Sequence, residues 1–227
     1  LLTPGPLTTS ASVKEAMLHD WGSRDAAFIS INRAVRDRLV ALAGGEGTHV
    51  CVPLQGSGTF AVEAMIGTLV SPTGKLLILV NGAYGKRMAR ICDYYRRAYA
   101  TVEEPEDKPV DPAKVAAALA GDPAITHVAV VHCETTSGVL NPVAEIAAAV
   151  AKAGRSLLVD AMSAFGALPL DARQVPFDAI AASSNKCLEG VPGMGFVIVR
   201  RSVLEGCAGN APSLSLDLHD QFVAMEK

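Results

Sequence analysis

The chain has 227 residues, half of them hydrophobic and 19% charged, and a formal net charge of -3. This composition fits one large domain with a sizeable core, and the near-neutral charge argues against a nucleic-acid binder, which usually shows a basic surface. No apolar run approaches the roughly 18 residues of a membrane-spanning helix. The first residues also lack the basic and apolar regions of a secretory signal.

The cysteines are odd in number, widely spaced and without a CxxC pair: Cys51, Cys92, Cys133, Cys187 and Cys207. This pattern excludes a disulfide scaffold, a zinc knuckle and a thioredoxin-like motif. We therefore expect reduced thiols and a cytoplasmic protein.

Short apolar runs alternate along the chain with segments of helical periodicity. The predicted strands are 48–54, 76–80, 127–131, 156–159, 177–181 and 195–199, and the predicted helices are 26–42, 60–69, 84–97, 113–119 and 143–153. Most of the strands are apolar throughout, which is typical of strands covered on both faces. The sequence therefore predicts an α/β fold with a mostly parallel central sheet and helices on both faces.

Two segments are less regular. Residues 102–111 are rich in acidic side chains, which predicts a solvated connecting loop. Residues 214–227 have a weak helical pattern and stop without a closing strand. We therefore expect a truncated chain or one that lacks a second domain.

Ligands in open α/β sheets bind at the carboxyl ends of the strands, so the loops there hold the first candidate residues. Ser57, Gly58 and Thr59 follow the first predicted strand and precede a helix. Backbone N–H groups and hydroxyls at a helix start can hold a phosphate. The loop matches neither a P-loop nor a GxGxxG motif, and an ordinary strand-to-helix turn is an equally good interpretation.

Aromatic and hydroxyl side chains follow two further strands. Tyr84, flanked by glycines, could lie flat on a planar ligand or pack under its loop. Thr135 could contact a ligand or shape the turn. The neighbouring His132 and Cys133 invite a nucleophile hypothesis, but adjacent residues on a strand point to opposite faces.

A carboxylate and an amine follow two more apolar strands. Asp160 ends one strand and Lys186 follows the next, so both could reach the same sheet edge. A lysine at the edge of a core is costly unless it is paired or used, and a neutral lysine amine can form a Schiff base. With a phosphate-binding loop and a flat aromatic ring, these residues match the needs of pyridoxal 5′-phosphate.

Residues 159–166 (VDAMSAFG) and 183–193 (SSNKCLEGVPG) resemble the cofactor segments of the class V, fold-type I aminotransferases. Residues 1–8 and 55–59 add to the resemblance, which extends over essentially the whole chain. It implies the large domain of a fold-type I pyridoxal-phosphate-dependent transferase at 21–227, after an N-terminal segment at 1–20. The small C-terminal domain of that family has no match here.

The resemblance also implies a role for each candidate residue. Lys186 would be the Schiff-base lysine and proton carrier, and Asp160 would pair with the pyridine nitrogen. Tyr84 and Met162 would cover the two faces of the cofactor ring. The other residues that the resemblance assigns to the cofactor surround its phosphate and ring oxygen: Ser57, Gly58, Thr59, Thr135, Ser183 and Asn185.

The activity implied is transamination of 2-aminoethylphosphonate with pyruvate, which gives phosphonoacetaldehyde and L-alanine, in a homodimer. Two alternatives stay open: an alanine– or serine–glyoxylate aminotransferase, which shares the same layout, and a fragment that binds cofactor without turnover. The family's substrate-binding arginine has no match. Arg33, Arg87 and Arg90 lie in predicted helices, where we expect surface residues.

Overall fold

The computed structural model describes residues 3–227. In chain order, the strands are β1 (His49–Gln55), β2 (Lys75–Val80), β3 (Ala98–Glu103), β4 (Ile125–Val131), β5 (Cys133–Glu134), β6 (Val139–Leu140), β7 (Ser156–Asp160), β8 (Ala179–Ser183) and β9 (Met194–Arg200). The helices are α1 (Ala11–Ala16), α2 (Ala26–Leu42), α3 (Gly58–Leu69), α4 (Ala83–Tyr95), α5 (Pro112–Gly121), α6 (Val143–Lys152), α7 (Arg201–Glu205) and α8 (Leu218–Met225).

Seven strands form the central sheet in the order β1-β9-β8-β7-β4-β2-β3. Strand β9 runs antiparallel to both of its neighbours, β1 and β8, and the pairs β8–β7, β7–β4, β4–β2 and β2–β3 are parallel. The short strands β5 and β6 pair separately. The predicted mostly parallel sheet is therefore confirmed, with β9 as the exception.

The central sheet lies between two layers of helices. Successive strand residues point to opposite faces of the sheet, so each strand packs against both layers. On one face, Leu158 of β7 belongs to a core cluster with Val62 of α3 and Met88 of α4. On the other face, Val159 belongs to a second cluster, with Ile146 of α6 and residues of α2 and α5. The prediction of helices on both faces is confirmed.

The predicted elements are found with ends shifted by a few residues, and the differences have physical reasons. Residues 102–103 were expected in a loop but end β3, an edge strand with half-exposed and exposed side chains. Because β3 buries so little, it lacks the continuous apolar run that marked the other strands, including the buried β1 at the opposite edge. The short helices α1 and α7 gave no periodic signal, and α8 occupies part of the weakly helical 214–227.

Two predictions from composition can be compared with the structure. None of the helices within residues 3–227 is both long and apolar enough to cross a bilayer. All five cysteines have free thiols, as expected. Three of the thiols are buried, and burial raises the pKa of Cys51 and Cys92 to about 12.

Candidate functional site

The candidate residues lie at or just after the carboxyl ends of β1, β2, β7 and β8, and Thr135 follows the separate strand β5. These four sheet strands run in the same direction, so their carboxyl ends meet at one edge of the sheet. A small pocket of about 20 Å³ lies at this edge. Its lining comes from α3, α4 and the end of β7: Gly58, Thr59, Val62, Tyr84, Arg87, Asp160 and Met162. The fold thus brings together side chains that are up to about a hundred positions apart in the sequence.

The carboxylate of Asp160 is the buried acid of the pocket. It ends β7 with 3% of its surface exposed, and its Oδ1 accepts a hydrogen bond from the Met162 backbone N–H at 3.0 Å. Burial raises the pKa of Asp160 to about 6, against the lowering effect of that hydrogen bond. The charge of Glu134 adds to the rise, whereas those of Arg87 and Lys186 oppose it. A cation placed here would stabilise the ionised form.

The amine of Lys186 lies on the loop after β8, with the side chain half-buried. Its Nζ donates a hydrogen bond of 3.4 Å to the Gly5 carbonyl. The Leu7 N–H donates to the Asn185 carbonyl at 3.2 Å, so residues 5–7 lie against the lysine loop. Lys186 and Asp160 are close enough for the amine to lower the pKa of the carboxyl group.

The loop between β1 and α3 presents the start of a 12-residue helix to the pocket. Gly56 adopts φ +124°, a conformation that glycine alone adopts readily. Ser57 occupies the N-cap position without a side-chain capping bond, and the first turn contains no acidic residue. The Thr59 hydroxyl accepts a hydrogen bond of 3.0 Å from Arg87. A helix start with hydroxyls and a guanidinium nearby favours an anion.

The remaining candidates differ in how they meet the pocket. Tyr84 lies in the first turn of α4, half-buried, with the Arg87 guanidinium 4.6 Å from its ring centroid. Ser183 is buried, and its hydroxyl has no hydrogen-bond partner within the described residues. An unpartnered buried hydroxyl is unusual and is a candidate ligand. Five candidates lie outside the lining set: Ser57, Thr135, Ser183, Asn185 and Lys186.

Two residues of the site were missed in the sequence. Arg87 was expected at the surface, where it lies, but it also lines the pocket. Its position three residues after Tyr84 puts both on one helix face, which was an available signal. Glu134 is fully buried beside the first turn of α4. Like Asp160, it follows an apolar strand, and this pattern could have identified it.

Together these groups suit a planar, anionic ligand with a basic ring atom. The start of α3 can take the anion, Tyr84 offers an aromatic face, and the buried carboxylate of Asp160 can pair with the basic atom. Lys186 adds an amine that can act as a nucleophile.

Relatives of the chain carry names that fit this chemistry. It is 60% identical over 227 residues to 2-aminoethylphosphonate–pyruvate transaminase 2 of Burkholderia lata, and 58% identical to 2-aminoethylphosphonate–pyruvate transaminase of Pseudomonas aeruginosa. Both alignments cover all of this chain but only 60% and 61% of the relative. The chain therefore spans about three fifths of the length of the relatives it matches.

Solved structures share the fold. Pyridoxamine-pyruvate aminotransferase from Mesorhizobium loti superposes with a TM-score of 0.90 at 30% identity, covering 99% of this chain and 58% of that one. Alanine–glyoxylate aminotransferase from Nostoc sp. gives 0.91 at 25% identity, covering 99% and 60%. The family model for aminotransferase class-V matches residues 11–213. The chain belongs to the class-V aminotransferase family.

Proposed function

We propose that this chain forms the cofactor-binding part of a pyridoxal-phosphate-dependent transaminase that converts 2-aminoethylphosphonate and pyruvate into phosphonoacetaldehyde and L-alanine. In this proposal, residues 21–227 are the large domain and residues 1–20 its N-terminal segment. The observation that carries the proposal is the buried carboxylate of Asp160, which lines one pocket with the start of α3 and interacts with Lys186.

The pocket residues suit pyridoxal 5′-phosphate by their charge and by the chemistry of their side chains. The phosphate would lie at the start of α3, among the N–H groups and hydroxyls of Ser57, Gly58 and Thr59. Asp160 would hold the ring nitrogen in its protonated form, which converts a costly buried charge into an ion pair. Tyr84 would stack on the ring.

The other candidates complete the contacts of the cofactor. Met162, buried against Gly58, would cover the ring from the side of β7. The unpartnered hydroxyl of Ser183 would gain an acceptor near the phosphate, with Asn185 beside it. Thr135, half-buried after β5, would lie near the ring oxygen.

Lys186 would perform the proton transfers. When bound, the cofactor supplies an electron sink for the carbon that exchanges its amino group for a carbonyl. The Lys186 Nζ would hold the cofactor covalently and then, once released, remove a proton from the substrate carbon that bears the amino group. Asp160 would keep the ring nitrogen charged throughout, and the apolar wall of Met162 and Val62 would exclude water.

The choice of amino donor rests on sequence similarity. The relatives at 58–60% identity are named as 2-aminoethylphosphonate–pyruvate transaminases. The alanine–glyoxylate aminotransferase from Nostoc sp. is only 25% identical in sequence, although its structure superposes with a TM-score of 0.91. We therefore favour the phosphonate over the glyoxylate reaction.

We also propose that the protein is a cytoplasmic homodimer. Five free thiols support a reducing compartment. Large apolar side chains are exposed on and between α1 and α2, as expected of a surface that pairs with a second copy. They are Met17, Leu18, Trp21, Ile29 and Ile31.

The absorbance spectrum of the purified chain tests this proposal. Pyridoxal phosphate is added first and 2-aminoethylphosphonate second, with Lys186→Ala as the control. We expect the parent chain to produce a cofactor band that the phosphonate shifts, and the control to lack that band.

Absence of any Lys186-dependent band would contradict the proposal. A band that forms but does not respond to 2-aminoethylphosphonate would support cofactor binding and contradict the proposed half-reaction for these 227 residues.

A further inference from the structure

We propose that Glu134 is a positioning residue of this pocket, holding the first turn of α4, and with it Tyr84, against the turn that carries Thr135. The inference rests on the proposed function for what the pocket binds. The anchoring itself rests on contacts that are independent of any ligand. No role in the chemistry is assigned to Glu134.

Both oxygens of the Glu134 carboxylate accept hydrogen bonds from backbone or hydroxyl groups. Oε2 accepts from the Tyr84 backbone N–H at 3.2 Å. Oε1 accepts from the Thr136 hydroxyl at 2.8 Å and from the Thr136 backbone N–H at 3.3 Å. The side chain is fully buried. One carboxylate therefore links α4 to the turn after β5, two elements that are fifty positions apart in the sequence.

Helix α4 gains from this carboxylate because its own N-cap residue provides no capping side chain. The N-cap residue is Gly82, which has no side chain, and the first turn contains no acidic residue. The first N–H groups of a helix lack partners within the helix and carry a positive partial charge. Glu134 supplies from another strand the acceptor that a local serine or aspartate usually supplies.

The absence of a side chain at Gly82 is what allows this approach. A Cβ atom built at Gly82 would lie 2.7 Å from Glu134 Oε2 and closer still to the carbons of that side chain. Any other residue would therefore displace the carboxylate from the start of α4. The pair of Gly82 and Glu134 acts as one unit that fixes where α4 begins.

The position of α4 matters to the pocket because two lining residues lie in its first turns. Tyr84 is the residue whose N–H Glu134 binds, and Arg87 follows on the same face. Arg87 in turn contacts Thr59 at the start of α3. A shift of α4 would move the aromatic ring and the guanidinium together.

The test replaces Glu134 by glutamine, which has nearly the same volume. One carboxylate oxygen then becomes an NH₂ group, which cannot accept a hydrogen bond from the Tyr84 N–H or from Thr136. This change removes a charge-assisted hydrogen bond and leaves one donor without an acceptor. It should lower the equilibrium constant for forming the contacts between Glu134 and α4 by about tenfold. We expect amide hydrogen exchange at residues 83–87 to speed up by at least that factor, with exchange in β4 and β7 unchanged. The affinity for pyridoxal phosphate should fall, and the circular dichroism that the bound cofactor shows in its visible band should change.

The matched control is Glu103→Gln. Glu103 accepts a hydrogen bond from the Thr101 hydroxyl at 3.2 Å in an exposed position on β3. This variant removes the same charge from a similar hydroxyl pair close to α4, where Glu103 helps to raise the pKa of Lys86, but it leaves the Glu134 contact with the Tyr84 N–H intact. We expect it to match the parent in exchange, cofactor affinity and circular dichroism.

Equal exchange at 83–87 and equal circular dichroism in E134Q, E103Q and the parent would overturn the inference. If E134Q does not fold, Thr136→Val removes one bond to the carboxylate at nearly constant volume and should give a smaller change of the same sign. If the parent chain binds no pyridoxal phosphate, the proposed function fails. The exchange at 83–87 still decides whether Glu134 anchors α4.

Discussion

Asp160 shows at the scale of one residue how a buried charge lowers the stability of its protein. The folded chain encloses a carboxyl group that loses most of its hydration, and burial raises its pKa from 3.8 to about 6. Among residues 3–227, only one hydrogen bond, from the Met162 N–H, compensates the charge directly. The cost is recovered when a cation binds beside the carboxylate, which is what the proposed ring nitrogen would do.

Replacing Asp160 by asparagine should therefore stabilise the cofactor-free chain at alkaline pH. The pKa of Asp160 is higher in the folded chain than in the unfolded chain, so its buried charge lowers the free energy of unfolding. This loss of stability is absent below about pH 3.8, grows with pH and is complete above about pH 6. The difference between the two pKa values of Asp160 corresponds to about 3 kcal/mol in the free energy of unfolding. We expect D160N to unfold at a higher denaturant concentration than the parent at pH 8, and the difference to shrink as the pH falls toward 4.

Chemical denaturation at several pH values checks this prediction, with Asp107→Asn as the control at an exposed aspartate. A gain in stability that does not depend on pH would contradict the assignment of the penalty to the buried charge. The same D160N variant should bind pyridoxal phosphate more weakly, since it loses the partner of the ring nitrogen.

At the scale of elements, the junction between β1 and α3 determines where the proposed phosphate would bind. The turn depends on Gly56, whose φ of +124° is strained for any other residue. A Cβ atom there would also lie 2.6 Å from the ring of Phe60. The helix start with Ser57 and Thr59 is therefore fixed by one residue that has no side chain.

Gly56→Ala should destabilise the chain by about 1–3 kcal/mol because the backbone must leave its native conformation. The affinity for pyridoxal phosphate should fall as well, since the N–H groups at the start of α3 move. Thermal unfolding and a cofactor titration measure both effects.

A second glycine provides the control for this prediction. Gly121 ends α5, and a Cβ atom built there has no neighbour within 4 Å. Gly121→Ala should leave both stability and cofactor affinity within a few tenths of a kcal/mol of the parent. Equal effects of the two substitutions would show that the conformation of Gly56 is not what holds the turn.

At the scale of the whole molecule, strands buried on both faces were predictable because their apolar runs leave a continuous signal. Leu76 to Val80 and His127 to Val131 are examples, both found within the observed strands. Strand β3 was missed because its side chains are half-exposed or exposed, unlike those of β1 at the other sheet edge. The antiparallel direction of β9 was also beyond prediction, since hydrophobic periodicity carries no information on strand direction.

The site was predictable where chemistry was local and not where it depended on packing. Asp160 and Lys186 were identified because each charged residue follows an apolar strand. The links of Arg87 to Thr59 and of Glu134 to Tyr84 join elements that are far apart in the sequence. They become visible only once the sheet order places α3, α4 and β5 side by side.

We propose that the candidate site at the carboxyl edge of the sheet presents Lys186 to pyridoxal phosphate. The most direct measurement is borohydride reduction of the protein with the cofactor, which makes a covalent lysine–cofactor link permanent, followed by peptide mass spectrometry. We expect one reduced cofactor, attached to Lys186. Modification of exposed lysines such as Lys86 instead, at the same level in native and unfolded protein, would contradict it.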